Sequence, residues 1–547
     1  MIPLERRKNF LALATKEEAE KRWREALRPG PLGVELVPIE EALGRVLGED
    51  VRARTDLPPF DRAVVDGFAV RAEDTFGADE EKTVRLLLAA SAIAAGGAAT
   101  TGEVAKGTAI EIATGAPIPR GADSVVMVEH CETKDGAVFV GRAVVPREGI
   151  QAKGSDMRAG ETVFRKGDRL SARETGVLAG QGLGALPCYR RPRVAVISTG
   201  DELRAPGSGE LAPGQIYDSN ARIVADLVRE SGGEAHVLGI ARDTREDLRA
   251  HFERAQAFDA VILSGGTSKG AGDLTYRLVG ELGKPGILVH GVQIKPGKPV
   301  VLAAWERKPV VVLPGFPSSA AITFDVFVKP VLRALAGLDA EEARERREAR
   351  LALTIPAGMG RHEVVLCHLV RAKDELVAFP IVKGSGSVSA FAQADGFFEV
   401  AASRERAEKG EKVQVTLLGG GRGPADLVVG GVKHAILEGL VTLLLERTGL
   451  RAKVVATGSV AGAEACARGE IDLALVATAD ADRMSGLVLL PGFKRKKGAG
   501  EESLAFVATM AGLGDSKEAE EKTAAGAFAE LLVSEEGAAL LRAAAGG

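Results

Sequence analysis

Between Arg193 and Leu335 the sequence alternates apolar runs with stretches of helical spacing: "RVAVIST", "NARIVADLVRESG", "AHVLGI", "REDLRAHFERAQ", "DAVILSGG" and "PVVVLPG". Runs this continuously apolar are strands buried on both faces, and the helices between them are the crossovers that let successive strands lie parallel. The pattern predicts a doubly wound, mainly parallel α/β domain. In such a sheet ligands bind beyond the carboxyl ends of the strands.

Those ends are chemically loaded. "RVAVIST" is followed by Gly200, Asp201 and Glu202, "AHVLGIAR" by Asp243, and "AVILS" by a loop that holds Gly265, Gly266, Thr267, Ser268, Gly270 and then Asp273. A glycine loop exposes N–H groups that can cradle an anion. Carboxylates without His or Cys beside them suit Mg²⁺, which takes one or two such ligands and completes its shell with water and substrate phosphate. Any one of these aspartates read alone is as readily a helix N-cap. Three strand ends carrying carboxylates together, Asp201 and Glu202, Asp243, and Asp273, point to a site for a metal-bridged, phosphorylated substrate.

Next comes "HGVQIKPGKPVVLA", in which Lys295 and Lys298 flank a stiff Pro-Gly turn; two ammonium groups held this way make a pocket for an oxyanion. "LPGFPSSAAITF" places Ser318 and Ser319 at a helix start, where a hydroxyl caps the helix or contacts an anion; no GxSxG elbow or partnered His supports a nucleophile. Earlier, "LPPFDRAVVDGFAV" sets Asp61 and Asp66 in a turn-rich loop, and composition alone does not choose between them.

At 547 residues the chain is too long for one core. The divisions predicted are an N-terminal domain in two segments (1–50 and 150–190), an inserted β-rich domain (51–149), the α/β domain (191–337), a small β-barrel-like domain (345–418) and, past the linker "GGGRGP", a small α/β domain (425–547). Thr15 and Glu18 read as a capping box ahead of a first helix. "AEEARERREARLAL", from Ala340, reads as a solvated helix or connector. A net charge of −4 provides no basic field for nucleic acid or an anionic membrane, and aromatic residues at 4% are too few for base stacking. The four cysteines, Cys131, Cys188, Cys367 and Cys466, lack CxxC spacing, so reduced buried thiols are expected. With no long apolar run and no cleavage site after the N-terminus, a soluble cytoplasmic protein is expected.

Eight motifs in order, "PPFDRAVVDGFAV", "IATGAPIPRGADSVVMVEH", "GSDMRAGETVF", "STGDEL", "GQIYDSN", "SGGTSKGAGD", "IKPGKP" and "LPGFPSS", resemble the molybdopterin molybdenumtransferase family, or molybdenum insertases, over about Lys16 to Leu418. The resemblance implies a Mg²⁺-dependent reaction in which adenylylated molybdopterin and molybdate give molybdenum cofactor and AMP. It assigns the glycine loop to the substrate's phosphate and AMP part, and Glu202, Asp243 and Asp273 to the metal and pyrophosphate site. Asp66 matches an essential aspartate acting across a homodimer interface. Thr114, Asp156 and Ser319 fall in substrate-binding motifs, Lys295 and Lys298 match the family's lysines, and Arg361 and Ser385 match oxyanion contacts of its fourth domain. Two positions depart from the family pattern: Ala63 replaces a serine and Phe316 an asparagine. The resemblance also implies contact with the molybdopterin adenylyltransferase. From Asp426 the chain resembles a shortened periplasmic-binding-protein-like domain, with Thr457, Gly458 and Ser459 at a strand end and helix start, a place that suits an oxyanion; a structural or dimerising role is the alternative. Tungstate insertion by the same chemistry, and a non-catalytic oxyanion sensor or scaffold, are the alternatives.

Overall fold

The computed structural model describes residues 13–89, 102–266, 272–281, 283–372, 375–381, 386–419, 425–482, 485, 487–497, 500–509 and 523–546. The chain divides into two units, one of residues 30–191 with 335–338, the other of residues 1–29, 192–334 and 339–547.

In the first unit the two ends of the chain segment share a core. Val34–Pro38 pairs antiparallel with Ala185–Tyr189, and Val37, Leu47, Val51, Leu170, Leu178 and Leu186 pack together. Between these ends a six-stranded sheet runs in the order Ser124–Met127, Gly67–Val70, Thr108–Ile112, Val84–Leu88, Ala137–Val140, Cys131–Lys134. Its central strands are largely buried, Gly67–Val70 throughout, and positive-φ glycines such as Gly77, Gly107 and Gly136 stand in the turns between strands.

The second unit opens with the helix Lys16–Leu27, whose capping box between Thr15 and Glu18 is formed. Its buried stripe, Ala19, Trp23 and Leu27, faces the strands Pro285–His290 and Val301–Trp305, and Trp23 Nε1 donates to the Ala303 carbonyl at 2.8 Å. The sheet that receives it runs Glu234–Ala241, Arg193–Thr199, Ala260–Ser264, Lys308–Leu313, Val301–Trp305, Pro285–His290. The first four strands are parallel; Val301–Trp305 runs against them and Pro285–His290 against it, so five carboxyl ends, those of the first four strands and of Pro285–His290, open on one edge.

A barrel follows. Its strands His362–Ala372, Glu375–Pro380, Arg346–Leu351, Lys412–Leu417 and Gly396–Val400 pair in that order, and the last returns to the first. The charged stretch from Ala340 is a connector as far as Glu345 and not a helix beyond it: Arg346–Leu351 is a barrel strand in which Ala349 and Leu351 point inward. Alternation with period two wins over helical propensity because the inward residues close the barrel core. Three of its arginines are paired, Arg344 with Asp325, Arg347 with Glu345, and Arg350 with Glu375 and Glu470.

The C-terminal part is a five-stranded sheet, Ala452–Val454, Leu427–Gly431, Leu473–Ala477, Gly500–Thr509, Leu487–Lys497, covered by helices. One of its cores is shared with the barrel: Val370, Val377 and Phe379 pack with Val428, Ala463, Cys466, Val476 and Val507.

Trp23 is 1% exposed and its indole N–H is satisfied, so truncation leaves both a cavity and an orphaned carbonyl. W23A is expected to destabilise this unit by roughly 3–5 kcal/mol, read from the denaturant midpoint of the transition that carries the central sheet.

Candidate functional site

The parallel strand ends, the Lys295–Lys298 turn and the barrel together line one cleft of about 1560 Å³. Its tight backbone is built on glycine. A Cβ at residue 265 would stand 2.3 Å from the Thr199 carbonyl oxygen, one at 266 would stand 2.6 Å from Thr275 Oγ1, and both residues have positive φ. Only glycine permits this approach of neighbouring strand ends.

Glu202 folds beside Gly200, where a Cβ would meet its carboxylate at 2.6 Å. Asp243 Oδ1 accepts the Thr199 hydroxyl at 2.6 Å, which fixes the carboxylate at the end of its strand. Both carboxylates line the cleft, together with Gly265, Gly266 and the buried Ser319. Asp273 lies in the first turn of the helix Gly272–Glu281, but its side chain is outside the described residues, as are Ser268, Gly270 and Ser385 altogether. Among the described residues no three His, Cys, Asp or Glu side chains converge as a cage. The oxygen donors of Glu202 and Asp243 fit a Mg²⁺ that draws its remaining ligands from water and substrate.

Cations enter the same cleft from two places. Lys295 and Lys298 come from the Pro-Gly turn, which is held by Gly297: a Cβ there would stand 2.2 Å from Thr323 Cγ2. Arg361 is exposed and leads into the first barrel strand, which pairs in parallel with Ile294–Lys295. The Lys295 ammonium lies 3.1 Å from each oxygen of Glu363.

Several lining residues escape a reading by residue type. Asn220, 8% exposed, donates from Nδ2 to Ser264 Oγ and to the Gly315 carbonyl, both at 2.8 Å, tying a helix start to two strand ends. Its Oδ1 and the neighbouring lining hydroxyl of Ser198 are buried without a partner. The "YDSN" motif was the available signal, but an Asp and an Asn at a helix start read as caps. Ser318 Oγ donates to the Ser387 carbonyl, a tie to the barrel rather than a free nucleophile. Phe316 lines the cleft 61% exposed.

Away from the cleft, the thiols are buried or partly buried and protonated: burial pushes Cys131 up to about 11 and Cys466 to about 12, and raises Cys367 and Cys188. None is a thiolate at neutral pH. In the C-terminal sheet Ser459 Oγ donates to Asp480 Oδ2 at 2.5 Å and Thr457 Oγ1 accepts from Gly431 N at 2.8 Å. The hydroxyls expected to face an anion there are engaged within the protein, beside a carboxylate.

In the other unit Asp156 is exposed, its N–H bonded to the Leu57 carbonyl at 3.0 Å. Asp66 and Thr114, distant in sequence, meet: the Thr114 N–H and hydroxyl donate to Asp66 Oδ1 at 2.7 and 2.9 Å. These bonds, the backbone one first, hold the Asp66 carboxyl below its ordinary value. Their stabilisation is therefore complete above the unfolded carboxylate value and is lost as pH falls through the lower folded value. T114V keeps the backbone donor and removes the hydroxyl. Asp66 is expected to titrate at higher pH in T114V than in the parent, as followed by carboxyl NMR; an unchanged midpoint would refute the pairing.

Comparison with known proteins identifies the chain's relatives. Residues 14–182 match the MoeA N-terminal region (domains I and II), residues 195–334 a probable molybdopterin binding domain, and residues 348–418 the MoeA C-terminal region (domain IV). A putative molybdopterin biosynthesis protein of Methanocaldococcus jannaschii is 34% identical over 396 residues, 70% of this chain and 92% of its own. Molybdopterin molybdenumtransferase 2 of Mycobacterium tuberculosis is 38% identical over 332 residues, 60% of this chain and 81% of its own. The crystal structure of a molybdopterin biosynthesis MoeA protein from Pyrococcus horikosii shares 40% identity at a TM-score of 0.63, over 74% of this chain and 99% of that one. With carboxylates at the strand ends and cations in the cleft they open on, the chain belongs to the molybdopterin molybdenumtransferase (MoeA) family.

Proposed function

We propose that this protein is the enzyme its family implies: it brings adenylylated molybdopterin and molybdate together in the cleft, with Mg²⁺, and yields molybdenum cofactor and AMP. The observation that carries this reading is the convergence of Glu202 and Asp243 with Lys295, Lys298 and Arg361 on one space.

Electrostatics gives the reason for that mixture. A phosphoanhydride and a tetrahedral dianion repel one another; two like unit charges 4 Å apart cost about 4 kcal/mol at an effective dielectric constant of about 20. Lys295, Lys298 and Arg361 offset this repulsion and hold the oxyanion while the glycine-lined strand ends receive the phosphate-bearing substrate. Glu202 and Asp243, with Asp273, would hold Mg²⁺, whose chemistry is to neutralise phosphate oxygens and polarise the bond that releases AMP. No covalent nucleophile is required, in keeping with the engagement of Ser318 by the barrel.

In the same reading the active form is a homodimer in which Asp66 and Thr114 act across the interface, the natural location is the cytoplasm, and the adenylyltransferase that makes the substrate is the transient partner. No helix among the described residues is long and apolar enough to cross a membrane.

The test is AMP release from adenylylated molybdopterin by purified protein with Mg²⁺, with molybdate, with tungstate and with neither. Oxyanion-dependent release supports the enzyme and the preferred anion names the metal; oxyanion binding without release would favour a sensor or scaffold. D243N is expected to lower kcat by about 10²-fold or more, and K298A to raise KM for the oxyanion by about tenfold with a smaller effect on KM for the pterin.

A further inference from the structure

We propose that Glu363 is a positioning residue for oxyanion capture, acting through Lys295. The inference rests on reading the cleft as an oxyanion site.

Glu363 is 3% exposed, in a strand otherwise dominated by apolar side chains. A carboxylate so buried is retained only where its charge and lone pairs are satisfied. Both oxygens accept from Lys295 Nζ at 3.1 Å, and Oε1 also accepts from Gly358 N at 2.8 Å. The ladder that sets Ile294 on His362 and Lys295 on Glu363 brings the pair into register. The Lys295 side chain is 56% exposed and an ammonium has three donors, so the carboxylate occupies at most two of them and at least one remains for a ligand in the cleft. A lysine side chain has many rotamers to lose when it is fixed on a ligand. Glu363 removes that freedom before the ligand arrives, which is preorganisation. Through Gly358 it also braces the turn that ends at Arg361, whose N–H bonds the Gly358 carbonyl at 3.1 Å. One buried carboxylate thus sets two cations supplied by different parts of the fold.

The sign of the effect makes this testable. Glu363 is negative and near an anion site, so charge alone says that E363Q should tighten oxyanion binding. Positioning says that it should weaken it. The measurement is molybdate titration of the full-length protein by calorimetry, for the parent, E363Q, E363A, K295A and E363Q/K295A, with thermal unfolding of each. Gln retains an acceptor for Gly358 N but not the charge that grips Lys295. The expected result is that E363Q raises Kd about tenfold, equivalent to about 1.4 kcal/mol, without a comparable rise in KM for the pterin substrate. That loss should vanish in the K295A background.

Equal or tighter molybdate binding by E363Q overturns the role. So does weakening confined to E363A, which would locate the effect in the Gly358 turn, and so does weakening by E363Q that persists undiminished without Lys295. A parent protein that binds neither molybdate nor tungstate removes the reading of the cleft itself, and the role of Glu363 with it.

Discussion

A two-rung parallel ladder, Ile294 on His362 and Lys295 on Glu363, joins the α/β sheet's Pro-Gly turn to the edge of the barrel. Neither partner strand could carry a ligand site alone: the sheet ends supply carboxylates and bare backbone, and the turn and barrel supply cations. The ladder is reinforced by the Ser318–Ser387 hydrogen bond and by the close packing of Gly297 on Thr323, which ties the lysine-bearing turn to the helix after the last parallel strand. Displacing a positioned group by about 1 Å can cost about 10²-fold in rate. The geometry between Lys298, Arg361 and Asp243 is therefore only as good as this junction.

Beyond the barrel, the C-terminal sheet is not a bead on a linker. Phe379 and Val377 of the barrel share a core with Val428, Val476 and Val507, and Lys453 pairs with Asp395. Glu470, 2% exposed, is held by Arg350 of the barrel and Arg468 of its own domain. Only the carboxylate is fully buried, the Arg350 and Arg468 side chains being 25% and 35% exposed, so loss of either arginine leaves Glu470 with the other and costs less than breaking a fully buried pair. This domain packs on the barrel that presents Arg361 and Glu363, and its own strand-end hydroxyls are bonded within the protein.

What the sequence reveals and what it hides divide along chain separation. Strand ends advertise themselves, because a glycine pair after an apolar run and a carboxylate after another need no partner to be noticed; Gly265, Gly266, Glu202 and Asp243 are legible for that reason. The Lys295–Lys298 turn is legible through its Pro-Gly stiffness. Glu363 is not, since its meaning depends on a lysine from another part of the fold, although a lone Glu among apolar strand residues is a signal. Asp66 and Thr114 are each visible, but their contact is a product of adjacent strands. The barrel strand at Arg346 is misread because its charges dominate the eye while only Ala349 and Leu351 decide its period. The shared core between the barrel and C-terminal sheet is hidden for a similar reason: its apolar residues read as the private core of each.

The most direct check on the central claim is to locate the oxyanion itself, by crystallising the full-length protein with tungstate and mapping the anomalous scattering of tungsten. The account expects a peak in the cleft, within contact distance of Lys298 and Arg361. A peak at Thr457–Ser459 of the C-terminal sheet, with the cleft vacant at saturating tungstate, would contradict it.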